Sequence, residues 1–379
     1  MRTFKEALSE IEAEAKNSKA MKVLSALKPR LKDHPLVLYG AGRLGGVFLD
    51  ICRELGIEVA RFCDRSVTDE YEGIEVIDPQ TLKSRFPNAF VVVSSSTHNY
   101  NDEICGILRR LDFPPERIIP CPVDYPCFDS LRRFSTRHLD GYAWAYDFFE
   151  DERSKQLVLD KLRLVLCSRP LATNTQSACY YEEGFIPPLA STEIFVDVGA
   201  YIGDTAEDFI GRFQKAGRQQ QDCRVHAFEP DAVNYAQAVR RLSRYTNVKI
   251  TQKGLWSTET ELVFTPNADD GQQSSFVAGS ATGEKYRVPV TSLDAYFRDE
   301  AEGKLPTFIK MDIEGAEKEA LLGAVEIIRQ NKPRLAICAY HNLEDIYELP
   351  RTILAIRKDY RFALRQHDPG YWNTVLYAV

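Results

Sequence analysis

The sequence predicts an α/β protein with two sheets, a smaller one near the N-terminus and a larger one filling the C-terminal half. Two observations carry this reading. Apolar runs of strand length alternate with helix-length stretches of 3.6-residue period, as in sheets crossed by helices. Each half also opens on a glycine loop set between an apolar run and a helical pattern: "LVLYGAGRLGGVFLD" from Leu36 and "EIFVDVGAYIGDT" from Glu193.

In the first part, "LVLYG" is the opening strand, with a helix following through Leu55. "EVARFCD" is a second strand ending at Asp64, "FVVVSSS" a third, "YNDEICGILRRL" a helix, and "RIIP" closes the unit. The proline-rich "DFPPERIIPCPVDYPCFD" punctuates the chain there. Residues 126–190 read as a helical, aromatic connector, ending in the aperiodic "TNTQSACYYEEGFIPPL". The expected organisation is thus 1–125, a connector at 126–190, and a second α/β domain at 191–379. Its strands are "IFVDVG", "RVHAFEP", "VKITQKG", "TFIKMD", "RLAICAY", "RFALRQ" and "TVLYAV". The last two are joined only by "HDPGYWN", too short for a crossover helix, which predicts an antiparallel hairpin.

A chain of 379 residues exceeds the usual ~100–200 for one domain. Its 44% hydrophobic and 27% charged content is that of a globular protein with full cores. A net charge of −7 argues against a nucleic-acid partner, which wants a basic face. No stretch reaches the ~18–20 consecutive apolar residues of a membrane span. The N-terminus is charged, reads as an amphipathic helix and has no signal-peptide core. Nine cysteines without metal-type pairing fit reduced thiols in a cytoplasmic protein.

The second glycine loop has the stronger case as a cofactor site. Asp197, Gly199 and Gly203 fall at the strand-to-helix turn, where a ligand can approach the backbone. The next strand ends in "AFEPD", placing Glu229 where an acid can accept both hydroxyls of a ribose. The adjacent strand ends "FIKMDIEGAE" and "LAICAYHN" put Asp312, Glu314 and His341 around one crevice, with Glu317 and Asn342 beside them. His341 is the first candidate general base. A divalent metal on Asp312 and His341 is the alternative. Glu314 and Glu317 also suit the first turn of a helix, and Lys310 shares a strand face with Asp312. The spacing Tyr245-x-x-x-Lys249 mimics a dehydrogenase pair, but it crosses from a helix end into a strand and is rejected.

"IFVDVGAYIGDTAEDF", "VHAFEPD", "VPVTSLDAYF", "FIKMDIEGAEKEALLGA" and "KPRLAICAYHNLEDIYELP" follow in the order and spacing of the FkbM family of methyltransferases, which residues 175–379 resemble. The resemblance implies a seven-stranded, Rossmann-like class I methyltransferase sheet. It implies S-adenosylmethionine as cofactor and O-methyl transfer to a hydroxyl of a glycan, nucleotide-sugar or related natural product. Carried over by motif, Asp197, Gly199, Ala200, Tyr201, Gly203, Asp204 and Thr205 form the cofactor loop, with Glu229 and Pro230 at the ribose. Leu255 or Trp256 packs near the adenine, and Asp312 adjoins the cofactor. Ser275 of "GQQSSFV" resembles a residue of the family's cofactor or substrate loop.

The first loop, Gly40-x-Gly42-x-x-Gly45, is followed 19 residues later by Asp64, near the ~20 of a dinucleotide fingerprint. The segment also resembles the small Rossmann-like domains of sugar-modifying proteins. It is short for two mononucleotide halves. Nucleotide or nucleotide-sugar binding, a scaffold without ligand, and NAD binding all stay open. With NAD or a nucleotide-sugar there, the alternative function is an oxidoreductase or sugar-modifying enzyme led by the N-terminal domain. A homo-oligomer is likewise left open.

Overall fold

The structure is a computed structural model that describes residues 3–67, 69–95, 98–123, 129–264, 286–300 and 304–379; Ser275 lies outside them. The chain divides into two compact units, Met1–Ala143 with Val158–Leu171, and Trp144–Leu157 with Ala172–Val379.

The first unit is built on six strands: β1 (Leu36–Tyr39), β2 (Val59–Cys63), β3 (Asp69–Tyr71), β4 (Ile74–Ile77), β5 (Phe90–Val93) and β6 (Ile118–Ile119). Their order is β3-β4-β2-β1-β5-β6, parallel except for the β3–β4 hairpin. Both faces are covered, so β1 and β5 read as unbroken apolar runs rather than alternating ones. Leu36, Leu38 and Val92 pack on one face with Val47, Phe48 and Phe62. Val37, Tyr39, Val91 and Val93 pack on the other with Leu82 and Leu108. Gly45 is dictated by packing, since a Cβ there would lie 2.1 Å from the Gly40 carbonyl oxygen.

The second unit holds β7 (Glu193–Val198), β8 (Cys223–Phe228), β9 (Val248–Thr251), β10 (Gly254–Leu255), β11 (Thr260–Phe264), β12 (Tyr286–Thr291), β13 (Phe308–Met311), β14 (Arg334–Cys338), β15 (Phe362–Gln366) and β16 (Thr374–Ala378). Seven of them form one sheet in the order β15-β16-β14-β13-β7-β8-β9. The expected hairpin is there: β15 pairs antiparallel with β16, and β16 with β14. The order reverses direction at β7, with β8 to one side and β13 to the other. The carboxyl ends of β7 and β13 therefore flank the topological switch point where such sheets bind ligands. The helix Asp204–Lys215 buries Ala206, Phe209, Ile210 and Phe213, the i, i+3, i+4, i+7 stripe of an amphipathic helix. Phe209 stacks on Phe195 of β7 at 4.3 Å.

A three-stranded sheet, β10-β12-β11, was not foreseen. Glu261 and Pro289 face each other in its register and interrupt the alternation that announces strands.

Candidate active site

The loop after β7 is shaped by two glycines with left-handed backbones, Gly199 at φ 76° and Gly203 at φ 82°. A Cβ on Gly199 would sit 1.9 Å from the Asp312 carbonyl oxygen, so β7 and β13 meet only because that position lacks a side chain. Lys310 holds the loop from beneath. Its Nζ donates to the carbonyl oxygens of Gly199 at 2.6 Å and Val198 at 3.3 Å. It also lies 3.0 Å from Asp197 Oδ1, its register partner on β7. Burial alone would lower the pKa of this ammonium, but the carboxylates of Asp197 and Asp312 hold it above its ordinary value. The sequence placed Lys310 on one strand face with Asp312; the structure puts its ion pair across strands, to Asp197.

Glu229 closes the loop from the side. Its Oε2 accepts the Tyr201 N–H at 2.8 Å and its Oε1 the Asp231 N–H at 3.0 Å. Tyr201 reaches this bond in a left-handed conformation, φ 48°, a strain that supported loops near functional sites tolerate. Burial pushes the Glu229 carboxyl up to about 7, against the opposing pull of those two N–H groups. Asp231 in turn caps the helix Ala232–Leu242 by accepting from Val233 and Asn234.

These groups open onto a cavity of about 550 Å³. Of the residues picked from sequence, Gly199, Tyr201, Asp204, Thr205, Glu229, Pro230, Leu255, Asp312 and Glu314 line it. Asp197, Ala200, Gly203, Trp256 and His341 stand behind or beside that lining. Lys253 also lines it, as do Cys179, Tyr180, Asn234, Tyr340, Trp372 and Asn373, which the sequence reading missed. Tyr180 comes from the aperiodic stretch before β7, and Trp372 from the tip of the β15–β16 hairpin, so neither carries a periodic signal. Tyr245 lies beyond the end of the helix Ala232–Leu242 and Lys249 on β9, and each faces elsewhere: the Tyr245 hydroxyl lies 3.4 Å from Glu207 Oε1, and Lys249 lies over the Tyr296 ring.

At the far side is an acid cluster around one imidazole. His341 Nδ1 lies 2.9 Å from Glu317 Oε1, close enough for an ion pair although off line for a hydrogen bond. Its Nε2 lies 3.5 Å from both Asp312 Oδ1 and Glu314 Oε2. Burial would lower the His341 pKa, but the surrounding carboxylates, Glu317 foremost, raise it well above the usual value. Asp312 accepts the Tyr180 hydroxyl at 3.1 Å and the Tyr340 hydroxyl at 3.0 Å. Burial works to raise its pKa, yet Lys310, His341 and the Tyr340 hydroxyl bring it below the carboxylate norm. Glu314 differs. It sits in a left-handed turn at φ 53°, faces the cavity, and is pushed up by burial despite His341. Glu317 accepts the Ile313 N–H at 2.9 Å, so it closes the turn as well as facing His341. Asp312, Glu314 and His341 bring three ligand-type atoms within 4.8 Å of one another.

In the first unit, Asp64 ties its own glycine loop. Its Oδ2 accepts the Ala41 N–H at 2.8 Å, and its Oδ1 accepts Ser66 N–H at 2.8 Å and Val67 N–H at 3.2 Å. The Tyr71 hydroxyl donates to the Gly42 carbonyl at 2.8 Å, and Ser94 Oγ lies 2.9 Å from that of Gly40. A Cβ on Gly42 would meet nothing within 4 Å.

No helix among the described residues is long and apolar enough to cross a membrane. Curated protein sequences give no match to this chain. The chain is similar over 98% of its length to 99% of Methyltransferase FkbM from Methylobacillus flagellatus KT, with 23% identity and a TM-score of 0.57. Looser similarity covers about half the chain: precorrin-6y C5,15-methyltransferase from Geobacter metallireducens GS-15, at 11% identity, 81% of that chain and TM-score 0.30, and Aeropyrum pernix fibrillarin with natively bound S-adenosyl-L-methionine, at 10%, 69% and 0.31. Residues 197–363 match the profile of the Methyltransferase FkbM domain. Those residues, which take in the glycine loop and acid cluster described above, thus form a Methyltransferase FkbM domain.

Proposed function

We propose that the chain is an S-adenosylmethionine-dependent O-methyltransferase acting on a hydroxyl of a glycan, nucleotide-sugar or related natural product. The observation that carries the proposal is the cavity at the switch point, with a Gly199–Tyr201 loop and Glu229 on one side and Glu314 on the other. The residues suit the cofactor: Glu229 uses one acceptance on each oxygen for the loop, leaving lone pairs for the two ribose hydroxyls. Leu255 offers an apolar wall for the adenine. When bound, S-adenosylmethionine supplies an electrophilic methyl group.

The chain's own contribution is to hold the acceptor hydroxyl and take its proton. We assign the proton to Glu314, which faces the cavity and whose carboxyl burial has raised. His341, off the cavity and ringed by carboxylates, acts as an imidazolium that positions Glu314 and Asp312. A second reading is favoured by the clustering of Asp312, Glu314 and His341: a divalent cation there would acidify the hydroxyl directly. Two carboxylates and an imidazole suit Mn²⁺, Fe²⁺ or Zn²⁺ better than Mg²⁺. For the first unit, the open space over Gly42 supports a nucleotide or nucleotide-sugar at Gly40–Gly45.

Calorimetry with S-adenosylmethionine and with NADH tests the proposal. Binding of the first supports it; binding of NADH alone transfers the chemistry to the N-terminal loop and overturns it.

A further inference from the structure

Trp372 stands at a hairpin tip, where no core requires a large aromatic. It is 36% exposed and lines the cavity. Two neighbouring rings pack against it. The Tyr371 ring lies 3.9 Å away at 35°, and the Tyr340 ring meets it edge-on at 5.7 Å. The Gln366 side-chain amide donates to the Trp372 carbonyl and to that of Asp368, the latter at 2.6 Å. Asn373, in a left-handed turn at φ 59°, donates to Asp368 at 2.6 Å and locks the other flank. Tyr340 then links the platform to the chemistry, since its hydroxyl is on Asp312 and its ring lies 4.1 Å from that of His341.

The charge of the cavity selects what can lie on this platform. Asp204, Glu229, Asp312 and Glu314 face it, against Lys253 and a Lys310 already committed to Asp197. An anionic group near the reacting hydroxyl is therefore disfavoured. A neutral ring with an apolar C–H face and a rim of hydroxyls meets both surfaces: the face packs on the indole, and the hydroxyls donate to carboxylates in charge-assisted hydrogen bonds.

We infer that Trp372, braced by Tyr371 and Tyr340, is the acceptor platform, and that it seats an uncharged pyranose whose hydroxyl points toward Glu314. This deepens the O-methyl-transfer reading and rests on it for the role of Glu314. The platform itself is a binding surface that can be tested without turnover.

The test is saturation-transfer NMR on the full chain with S-adenosylhomocysteine present, using methyl α-D-glucopyranoside, methyl α-D-mannopyranoside and methyl α-L-rhamnopyranoside as probes. Catechol and choline are run as flat-aromatic and cationic controls. The expected result is pyranoside binding in the wild type, a loss of tenfold or more in Trp372→Ala, and partial recovery in Trp372→Phe. Unchanged S-adenosylhomocysteine affinity in both variants shows that the fold is intact. Pyranosides binding equally to Trp372→Ala, no pyranoside binding to the wild type, or binding of catechol or choline alone each overturn the inference. Failure of S-adenosylhomocysteine to bind while pyranosides do would sink the methyl-transfer reading and leave the platform standing.

Discussion

The Lys310 ammonium and the Asp197 carboxylate face each other at 3.0 Å across β13 and β7, both almost completely buried. Together they fix the height of the glycine loop, because Lys310 also donates to the Gly199 carbonyl. Removing one partner strands the other charge in the core. Lys310→Met should cost about 3–5 kcal/mol of stability, whereas the double change with Asp197→Leu should recover most of it. Urea unfolding of the three proteins checks this, and a single variant as stable as wild type would show that the pair is not the support described.

The two glycine loops respond differently to an added methyl group. Gly199→Ala places a Cβ 1.9 Å from the Asp312 carbonyl oxygen, in a left-handed backbone, and should yield little folded protein. Gly42→Ala enters open space and should leave the thermal midpoint unchanged. If a nucleotide phosphate approaches the backbone of the first loop, Gly42→Ala weakens UDP or NAD binding at unchanged stability. Thermal shift with and without those nucleotides separates the outcomes.

Glu229→Ala should weaken S-adenosylmethionine binding by about 1–3 kcal/mol, the scale of hydrogen bonds to a charged acceptor. Calorimetry reads this directly, and unchanged affinity would remove Glu229 from the site.

The same carboxyl gives a pH dependence with a definite sign. Its pKa rises from 4.5 to about 7 on folding, so over that window the folded state holds a proton that the unfolded chain has released. Stability of the free protein should therefore fall as pH increases through the window. Ribose hydroxyls favour the carboxylate, so cofactor affinity should rise over the same range, with a proton released on binding. Calorimetry in buffers of different ionisation enthalpy measures that proton. Both trends should vanish in Glu229→Gln.

If Glu314 takes the acceptor proton, Glu314→Gln should slow turnover by roughly 10²–10⁴-fold, the usual worth of a positioned base. Cofactor affinity should hardly change. His341→Ala should slow turnover too, and it should also destabilise the fold, because Glu317 loses the cation beside it. EDTA should leave turnover intact under this assignment. Loss of activity with EDTA, restored by Mn²⁺, would instead favour the cation reading.

Much of this architecture was legible in the sequence because it rests on local signals. All seven strands of the large sheet announced themselves as apolar runs, and "HDPGYWN" is too short to be anything but a hairpin link. The turn after β7 was legible as a glycine loop because Gly199 answers a steric demand. What escaped depends on contacts distant along the chain. Tyr180 reaches Asp312 from 132 residues away, out of a stretch with no period. Glu317 reads as an ordinary first-turn acid until His341 arrives from the next strand. Trp372 carried no signal of its own, since nothing nearby in sequence says that the hairpin link borders a cavity.

Asp64 and Glu229 share one device: each carboxylate, at the end of the second strand of its unit, accepts an N–H from its own glycine loop. A loop tethered this way keeps its shape before any ligand arrives. Little ordering is then left for the binding step, which favours fast association and places affinity differences between ligands in how slowly they leave. Where such a loop takes a ligand, its acid thereby sets the tempo of that ligand's exchange.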